Sequence, residues 1–332
     1  MHVELAVPGL FQAQAAAPGL EMLLARGRRT PGKPAALEEW CARLFGLEGS
    51  PLPAGSLTAL AYGLEPGTAH WMRADPVHLR ADRDRVLLYP SQGFALSAEE
   101  AEPLAAALNA HYAGEFSLYA PRPDVWCLRG GREMPASARP PIEIAGRSVD
   151  AELPDKRWHA LLNEIQMAMY QHPVNTAREA RGDPVVNGVW LWGAGRLPAS
   201  AALSNTDAWH SLSADDPLAL GLARLAGVRH RPPGAGAAPW LERAPKDGRH
   251  LVVLDTLRGA RVLGDAEAVE DRLRGLEERW FAPLLAALRA GRIGMLTVHV
   301  PDAGASFETE RGDLRRFWRR PKPLATYDAY TA

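Results

Sequence analysis

Two polar clusters hold the side chains best suited to chemistry in this chain. Arg73-Ala-Asp-Pro-Val-His-Leu-Arg-Ala-Asp82 gathers four charged groups and a histidine around one strand-like run. Alternation along a strand puts Asp75, Val77 and Leu79 on one side and His78 and Arg80 on the other. Pro76 fits an edge or a strand start better than a central strand. The denser cluster is Asn163-Glu-Ile-Gln-Met167 followed by His172-Pro-Val-Asn175-Thr-Ala-Arg178-Glu-Ala-Arg181. At helical spacing Gln166 and His172 border an apolar face, while Glu164 points roughly opposite. Arg73, Asp75, His78, Gln166, His172, Asn175, Arg178 and Asn187 therefore form a candidate ligand-binding set. Its two arginines could hold a carboxylate or phosphate. The plainer readings are a solvated strand edge with local ion pairs, and helix-end side chains that satisfy loop backbone.

Other motifs are weaker. Gly27-Arg-Arg-Thr-Pro-Gly-Lys33 matches the letters of a phosphate loop, but Pro34 stands where a metal-binding Ser or Thr is required. Gly193-Ala-Gly195-Arg-Leu-Pro198 follows a strand as a dinucleotide fingerprint would, yet Pro198 replaces its third glycine. Both read as turns. Trp190 and Trp192 alternate with Val189 and Leu191, so their indoles share one side and serve packing. His299 reads as a hydrogen-bonded core residue. Cys41 and Cys127 lie far apart, without a CxxC or Cys/His cluster, which argues against structural zinc and a disulfide framework. There is no G-x-S-x-G elbow.

The elements that must position these groups alternate between strand and helix. His2–Val7 reads as an opening strand, and residues 13–47 as helix broken over Arg26–Pro34. Strand-like runs follow at His78–Leu79 and Arg85–Tyr89. Ser97-Ala-Glu-Glu100 is a capping box opening a helix. Phe116–Ala120 and Val125–Leu128 form a hairpin. A linker begins at Arg139, and a helix spans Asp155–Gln171 with Trp158, Leu161, Leu162, Ile165 and Met169 inward. Gly188–Trp192 reads as a strand, Ser213–Leu225 as a helix, Pro232–Pro239 as a loop and Leu251–Leu254 as a buried strand. A helix over Ala266–Ala290 should kink at Pro283. Met295–Val300 is the last clear strand. This alternation predicts an α/β sheet with helices on its faces. The chain is read as one domain over 1–305, with room for a small inserted subdomain around 70–150, and a basic, irregular tail over 306–332.

The bulk composition narrows the function classes. Hydrophobic residues make up 47% and charged residues 23%, the balance of a globular protein. A net charge of −1 gives no electrostatic footprint for nucleic acid or an anionic membrane. The opening Met1-His-Val-Glu-Leu-Ala lacks a basic signal region, and no apolar run reaches the ~18 residues of a membrane span. A cytoplasmic protein without a cofactor is expected.

The order of the pieces resembles the archaeal-type cofactor-independent phosphoglycerate mutases of the alkaline phosphatase superfamily. The carriers are Asn187–Gly195, Gly221-Leu-Ala-Arg-Leu-Ala-Gly227, and Arg73–Leu79 followed by Ser97-Ala-Glu-Glu-Ala101. Ala74-Asp-Pro-Val-His-Leu79, Asn163–Met167, His172-Pro-Val-Asn175 and Asn187-Gly-Val-Trp-Leu-Trp-Gly193 bring the chain closer to a bacterial group of RpfE-type regulatory proteins. The resemblance implies an alkaline-phosphatase-like mixed sheet flanked by helices. It also implies positions for chemistry. Pro8 stands where the mutases carry a metal-binding Asp, and Ser56 falls near their nucleophile with Leu57 replacing an acidic ligand. Asp255 and Asp302 keep ligand positions, but Gly259 and Ala303 replace the histidines. Two carboxylates without those histidines cannot build a two-metal centre.

The leading expectation is therefore a metal-free, non-catalytic regulatory or ligand-binding protein that takes an anionic phosphorylated or carboxylated metabolite. The rivals are a divergent mutase or phosphatase with a rebuilt metal site, and a protein–protein module using exposed tryptophans and the basic stretch Arg311–Lys322.

Overall fold

The computed structural model describes residues 1–47, 52–83, 85–130, 137, 139–149, 152, 156–262 and 264–328. In chain order the strands are β1 (His2–Ala6), β2 (Arg28–Pro31), β3 (His70–Asp82), β4 (Arg85–Pro90), β5 (Phe116–Arg122), β6 (Val125–Gly130), β7 (Gly188–Gly195), β8 (Ser211–Ser213), β9 (Arg229–Arg231), β10 (Arg249–Val253), β11 (Met295–Val300) and β12 (Ala305–Glu310). The helices are α1 (Pro18–Arg26), α2 (Leu37–Leu44), α3 (Ala54–Ala61), α4 (Ala98–His111), α5 (Lys156–Tyr170), α6 (Pro173–Arg181), α7 (Pro217–Leu225), α8 (Ala237–Arg243), α9 (Thr256–Val262), α10 (Ala266–Leu276) and α11 (Ala282–Arg289). They form two compact units, one from Met1–Leu47 with Leu203–Ala332 and one from Glu48–Ala202. Both are mixed α/β, with sheets flanked by helices. No helix among the described residues is long and apolar enough to cross a membrane.

The first unit holds a sheet in the order β2-β12-β11-β1-β10-β8-β9. Strands β11, β1, β10, β8 and β9 run parallel, while β12 and β2 add an antiparallel edge. Val3 and Leu5 of β1, Leu296 and Val298 of β11 and Val252 of β10 share one face. There they join the buried side chains of α1, α8, α10 and α11 in one core cluster. Alternation sends His2 and Glu4 to the other face. Between α10 and α11 the chain makes one π-helical turn, Glu277–Phe281. The Glu277 carboxylate there accepts the Gly19 and Leu20 amides at 2.7 and 3.2 Å, capping the positive end of α1.

The second unit holds β4-β3-β6-β5, with β7 pairing to β3. Met72 and Ala74 of β3 pack with α4 and α5 residues in a second core. Trp71 and Cys127 pack with Ala59 of α3 in a smaller cluster. The capping box forms as expected at Ser97 and Glu100. Asn109 fastens α4 to β5 by exchanging two hydrogen bonds with the Leu118 backbone, at 2.7 and 2.8 Å.

Several expectations are revised. The expected insert over 70–150 lies inside a larger unit, Glu48–Ala202. Residues from Ser306 were expected to be irregular, but Ala305–Glu310 is β12, whose Ala and Phe side chains alternate into the core. Arg28–Pro31, expected as a break, is the edge strand β2 paired to β12. The helix expected from Ser213 starts at Pro217, because Ser211–Ser213 pairs with β10 and β9 as β8. Pro239 lies within α8 rather than in a loop. The long helix is interrupted by the π turn, and Pro283 sits at the start of α11. Strand β3 begins at His70, so Pro76 is interior. It falls between the stretch paired to β6, His70–Arg73, and the stretch paired to β4, Val77–Asp82, where a missing amide costs no ladder bond on that edge. The expected Asp155 start of α5 lies outside the described residues.

Gly55 of α3 faces the Met72 backbone so closely that an added Cβ would overlap three of its backbone atoms. Because backbone cannot move aside as a flexible side chain does, Gly55→Ala is expected to destabilise the protein by about 3 kcal/mol or more. Urea unfolding of the variant against the parent checks this.

Candidate functional site

In open α/β sheets, ligands bind outside the carboxyl ends of the parallel strands. Acidic residues collect at that edge of the first unit. Asp302 follows β11, Asp255 follows β10, and Asp215 and Asp216 follow β8; β1 leads instead into Val7-Pro8-Gly9. Asp216 is the N-cap of α7, its Oδ1 accepting the Ala219 amide at 2.8 Å. Asp302 Oδ1 accepts the Gly9 amide at 2.9 Å, tying the turn after β1 to the end of β11. Helix α2 contributes Glu38 and Cys41, both buried.

One guanidinium balances this edge. Arg258, in the first turn of α9, donates from Nη1 and Nη2 to Glu38 Oε1 at 3.0 and 3.1 Å, and from Nη2 to Oε2 at 3.1 Å. Burial alone would make this cation easier to deprotonate. The negative charges of Glu38, Asp216 and Asp255 outweigh that effect and hold it above its ordinary value. The carboxyls feel the opposite pull. Burial, then the nearby Glu38 and Asp255, push Asp216 up to about 7. Asp255 is also raised by burial, with Arg258 opposing. Burial and the surrounding carboxylates push the Cys41 thiol far up, so it is not a nucleophile at neutral pH. Among the described residues, no three His, Cys, Asp or Glu side chains converge as a metal site requires. A cavity of 590 Å³ opens at the same edge, lined by Gly9, Gln12, Leu257, Asp265, Glu270 and Arg274. Its Glu270 carboxylate accepts the Gln14 and Ala15 backbone amides.

The eight expected ligand-binding residues all lie in the second unit, and all but Gln166 turn polar atoms onto the protein itself. Arg73 Nε donates to Asp75 Oδ1 at 3.0 Å, and Trp192 Nε1 donates to Asp75 Oδ2 at 2.7 Å. Arg73 also lies 5.3 Å from the centre of the Trp192 ring. Asn175 Nδ2 donates to the Met169 and Val186 carbonyls at 2.9 and 2.7 Å, and its Oδ1 accepts the Val186 amide at 2.9 Å. Asn187 exchanges a similar pair with the Leu79 backbone at 2.7 and 2.8 Å. His78 Nδ1 lies 2.9 Å from the Val185 carbonyl, and His172 caps α6 by accepting the Val174 amide at 3.3 Å. Arg178 is buried and donates to the Pro184 carbonyl, to Glu100 and to the Ala95 carbonyl, at 2.8, 2.6 and 2.9 Å. Gln166 is half-buried on α5. An anion could take Arg178 only by displacing Glu100. The structure thus joins Arg73 with Asp75 and ties Asn175 and Arg178 to the loop 184–186; these contacts fix loops and strands. Ser56 is buried at the third position of α3, its Oγ donating to the Pro53 carbonyl at 3.1 Å.

Glu38, Asp216 and Arg258 were not among the expected site residues. The available signals were an Asp directly before Pro217, which marks an N-cap, and an arginine three residues after Asp255.

The similarity to known proteins is distant. No protein-family model matches the chain. Over 164 residues it is 30% identical to a probable 2,3-bisphosphoglycerate-independent phosphoglycerate mutase of Geobacter sulfurreducens, a match covering 46% of this chain and 39% of that protein. The matched segment thus spans well under half of that relative. Among solved structures, the PH0037 protein from Pyrococcus horikoshii shares the fold, with a TM-score of 0.52 at 15% identity over 93% of this chain and 87% of that one. The cofactor-independent phosphoglycerate mutase from Thermoplasma acidophilum gives a TM-score of 0.43 at 17% identity over 99% of this chain and 95% of that one. The class is therefore a mixed α/β protein. Within that class, the chain is distantly similar to cofactor-independent phosphoglycerate mutase.

Asp216 yields a signed prediction. Its folded pKa is raised above the unfolded value, so the folded state holds the extra proton and this group lowers stability as pH rises from about 4 through about 7. Asn keeps the cap without the charge. Asp216→Asn should gain on the parent as pH rises, its advantage at pH 8 exceeding that at pH 5 by about 1 kcal/mol or more. Thermal melts in chelator-treated buffer at both pH values check this; a gain at pH 5 equal to that at pH 8 would contradict it.

Proposed function

We propose that this protein is a cytoplasmic, non-catalytic ligand-binding or regulatory relative of the phosphoglycerate mutases, akin to the RpfE-type regulatory proteins, on an alkaline-phosphatase-like scaffold. The observation that carries this reading is the Arg258 guanidinium held among Glu38, Asp216 and Asp255. The resemblance places a metal-ligand segment Asp-x-x-Gly-His-Asp here. This chain has Asp255-Thr-Leu-Arg258-Gly259-Ala260. Neither Gly259 nor Ala260 can ligate, and Arg258 brings a fixed positive charge to carboxylates that would otherwise need a metal ion. Pro8 and Ala303 offer no side-chain donor at the other inherited positions. The residues present do not fit a pair of divalent ions, so no phosphoryl-transfer step is derived. Ser56, whose hydroxyl donates to a carbonyl, supplies no activated nucleophile.

The curated mutase relative favours a second reading, a divergent mutase or phosphatase whose metal site is rebuilt around Asp255 and Asp302. The exposed Phe317 and Trp318, beside Arg315, Arg316, Arg319 and Arg320, favour a third, a protein-interaction surface.

Elemental analysis of protein purified without chelator, with a phosphoglycerate mutase assay in Mn²⁺ and Zn²⁺, separates the first two. We expect no stoichiometric metal and no turnover; one or two tightly held ions per chain with turnover would establish the enzyme. Arg258→Ala should cost about 3–5 kcal/mol, because it strands buried carboxylates. Millimolar Mn²⁺ should recover part of that loss in the variant while leaving the parent's melting temperature unchanged. An equal response in both proteins would remove the basis for treating Arg258 as the metal's substitute.

A further inference from the structure

The face of the first unit's sheet opposite its core holds a polar assembly that the proposed function does not use. Glu4 is buried on the central strand β1. His299 Nε2 lies 2.8 Å from Glu4 Oε2, and Arg249 of β10 pairs with the same carboxylate. Glu4 thus fixes the His299 ring and leaves Nδ1, which has no partner among the described residues, as the nitrogen available to a ligand. The Trp40 ring of α2 lies 5.1 Å from the His299 ring. Beside them is a cavity of 240 Å³, lined by Thr30, Lys33, Trp40, Arg43, His299 and Ser306 among others. Ser306 stands directly across the β11–β12 ladder from His299. Its hydroxyl makes one long bond, 3.4 Å, to the Thr30 carbonyl.

Two cations reach this cavity. Arg43 shares an exposed pair with Glu39 at 3.1 Å, one helical turn away. Lys33 has no carboxylate partner among the described residues and is exposed. It ends the stretch Gly27–Lys33, whose letters match a phosphate loop. The Gly32 amide is already spent on the Gly304 carbonyl at 2.6 Å, so the loop backbone does not form a phosphate nest. What the stretch offers is its ammonium.

We propose that this cavity binds a small molecule carrying one oxyanion, a carboxylate or a phosphate monoester, on a flat unsaturated body. Lys33 holds the oxyanion with help from Arg43. Trp40 packs on the flat face, and His299 and Ser306 supply hydrogen bonds to its edge. The volume lies below the roughly 300–1,000 Å³ of drug-sized sites, which limits the ligand to a compact molecule. The inference stands apart from the non-catalytic reading, because a metal-loaded mutase could carry the same cavity.

Calorimetric titration of the full chain with phenyl phosphate, benzoate and inorganic phosphate tests it. Phenyl phosphate should bind one per chain, and inorganic phosphate about threefold to tenfold more weakly because it has no ring to place on Trp40. Lys33→Ala removes an exposed side chain and should fold normally; it should weaken phenyl phosphate and benzoate about tenfold. Trp40→Leu should weaken the two aromatic probes and leave inorganic phosphate unchanged. Tighter binding of benzoate assigns a carboxylate ligand, and tighter binding of phenyl phosphate assigns a phosphate ester. Absence of binding by all three probes, or affinities unchanged by Lys33→Ala, would overturn the proposal.

Discussion

A guanidinium removed from water needs anions at hydrogen-bond distance, and carboxylates removed from water need a cation. Arg258 and the acidic edge of the first unit satisfy that requirement together. The arrangement also fixes helices. Glu38 belongs to α2, Asp216 starts α7, and Arg258 lies in α9, so one charge balance sets the positions of three segments far apart in sequence. Helices α2 and α7 pack on each other. Without the cation between them, their carboxylates would repel across a poorly screened interior. Asp216 is raised first by its burial and then by the charges of Glu38 and Asp255, which Arg258 offsets only in part.

The second unit uses arginine in the same way. Arg73 is folded onto Asp75 and the Trp192 ring, and Arg178 fastens two loops and Glu100 while lying over the Phe94 ring. The planar fork suits this work better than an ammonium, because it satisfies several acceptors in fixed directions. In a chain this rich in arginine, a buried arginine is more often a fastening than a ligand clamp. The cations left for ligands are those near the surface, such as Lys33.

Much of the architecture was legible in the sequence where burial imposes a period. The alternation of β1, the hairpin of β5 and β6, the inward face of α5 and the capping box at Ser97 all follow from local patterns. Strand β2 was hidden because Arg28-Arg-Thr-Pro31 is exposed throughout and carries no alternation. Strand β8 was hidden because three residues are too few to show a period. Strand β12 did alternate, Ala-Ser-Phe-Glu-Thr-Glu, but it leads into a stretch rich in basic residues. The carboxyl-edge cluster was legible only in part. Asp255 and Asp302 follow obvious strands, whereas the pairing of Glu38 with Arg258 spans 220 residues and depends on how parallel strands cross. The polar set around Asn175 was correctly seen as a cluster, but spacing alone cannot tell whether amides face a ligand or a loop backbone.

The position of β1 also sets a timetable for synthesis. It is made long before its two neighbours in the sheet, Arg249–Val253 and Met295–Val300. At roughly 5–20 residues per second, translation leaves the opening strand without either partner for about 12–50 seconds. During that interval the segment Glu48–Ala202 leaves the ribosome complete and can close its own core. A strand made this early is thus enclosed only after the segment that follows it. Until then its two bare edges and its Val3 and Leu5 side chains are open to chaperones, or to another nascent copy.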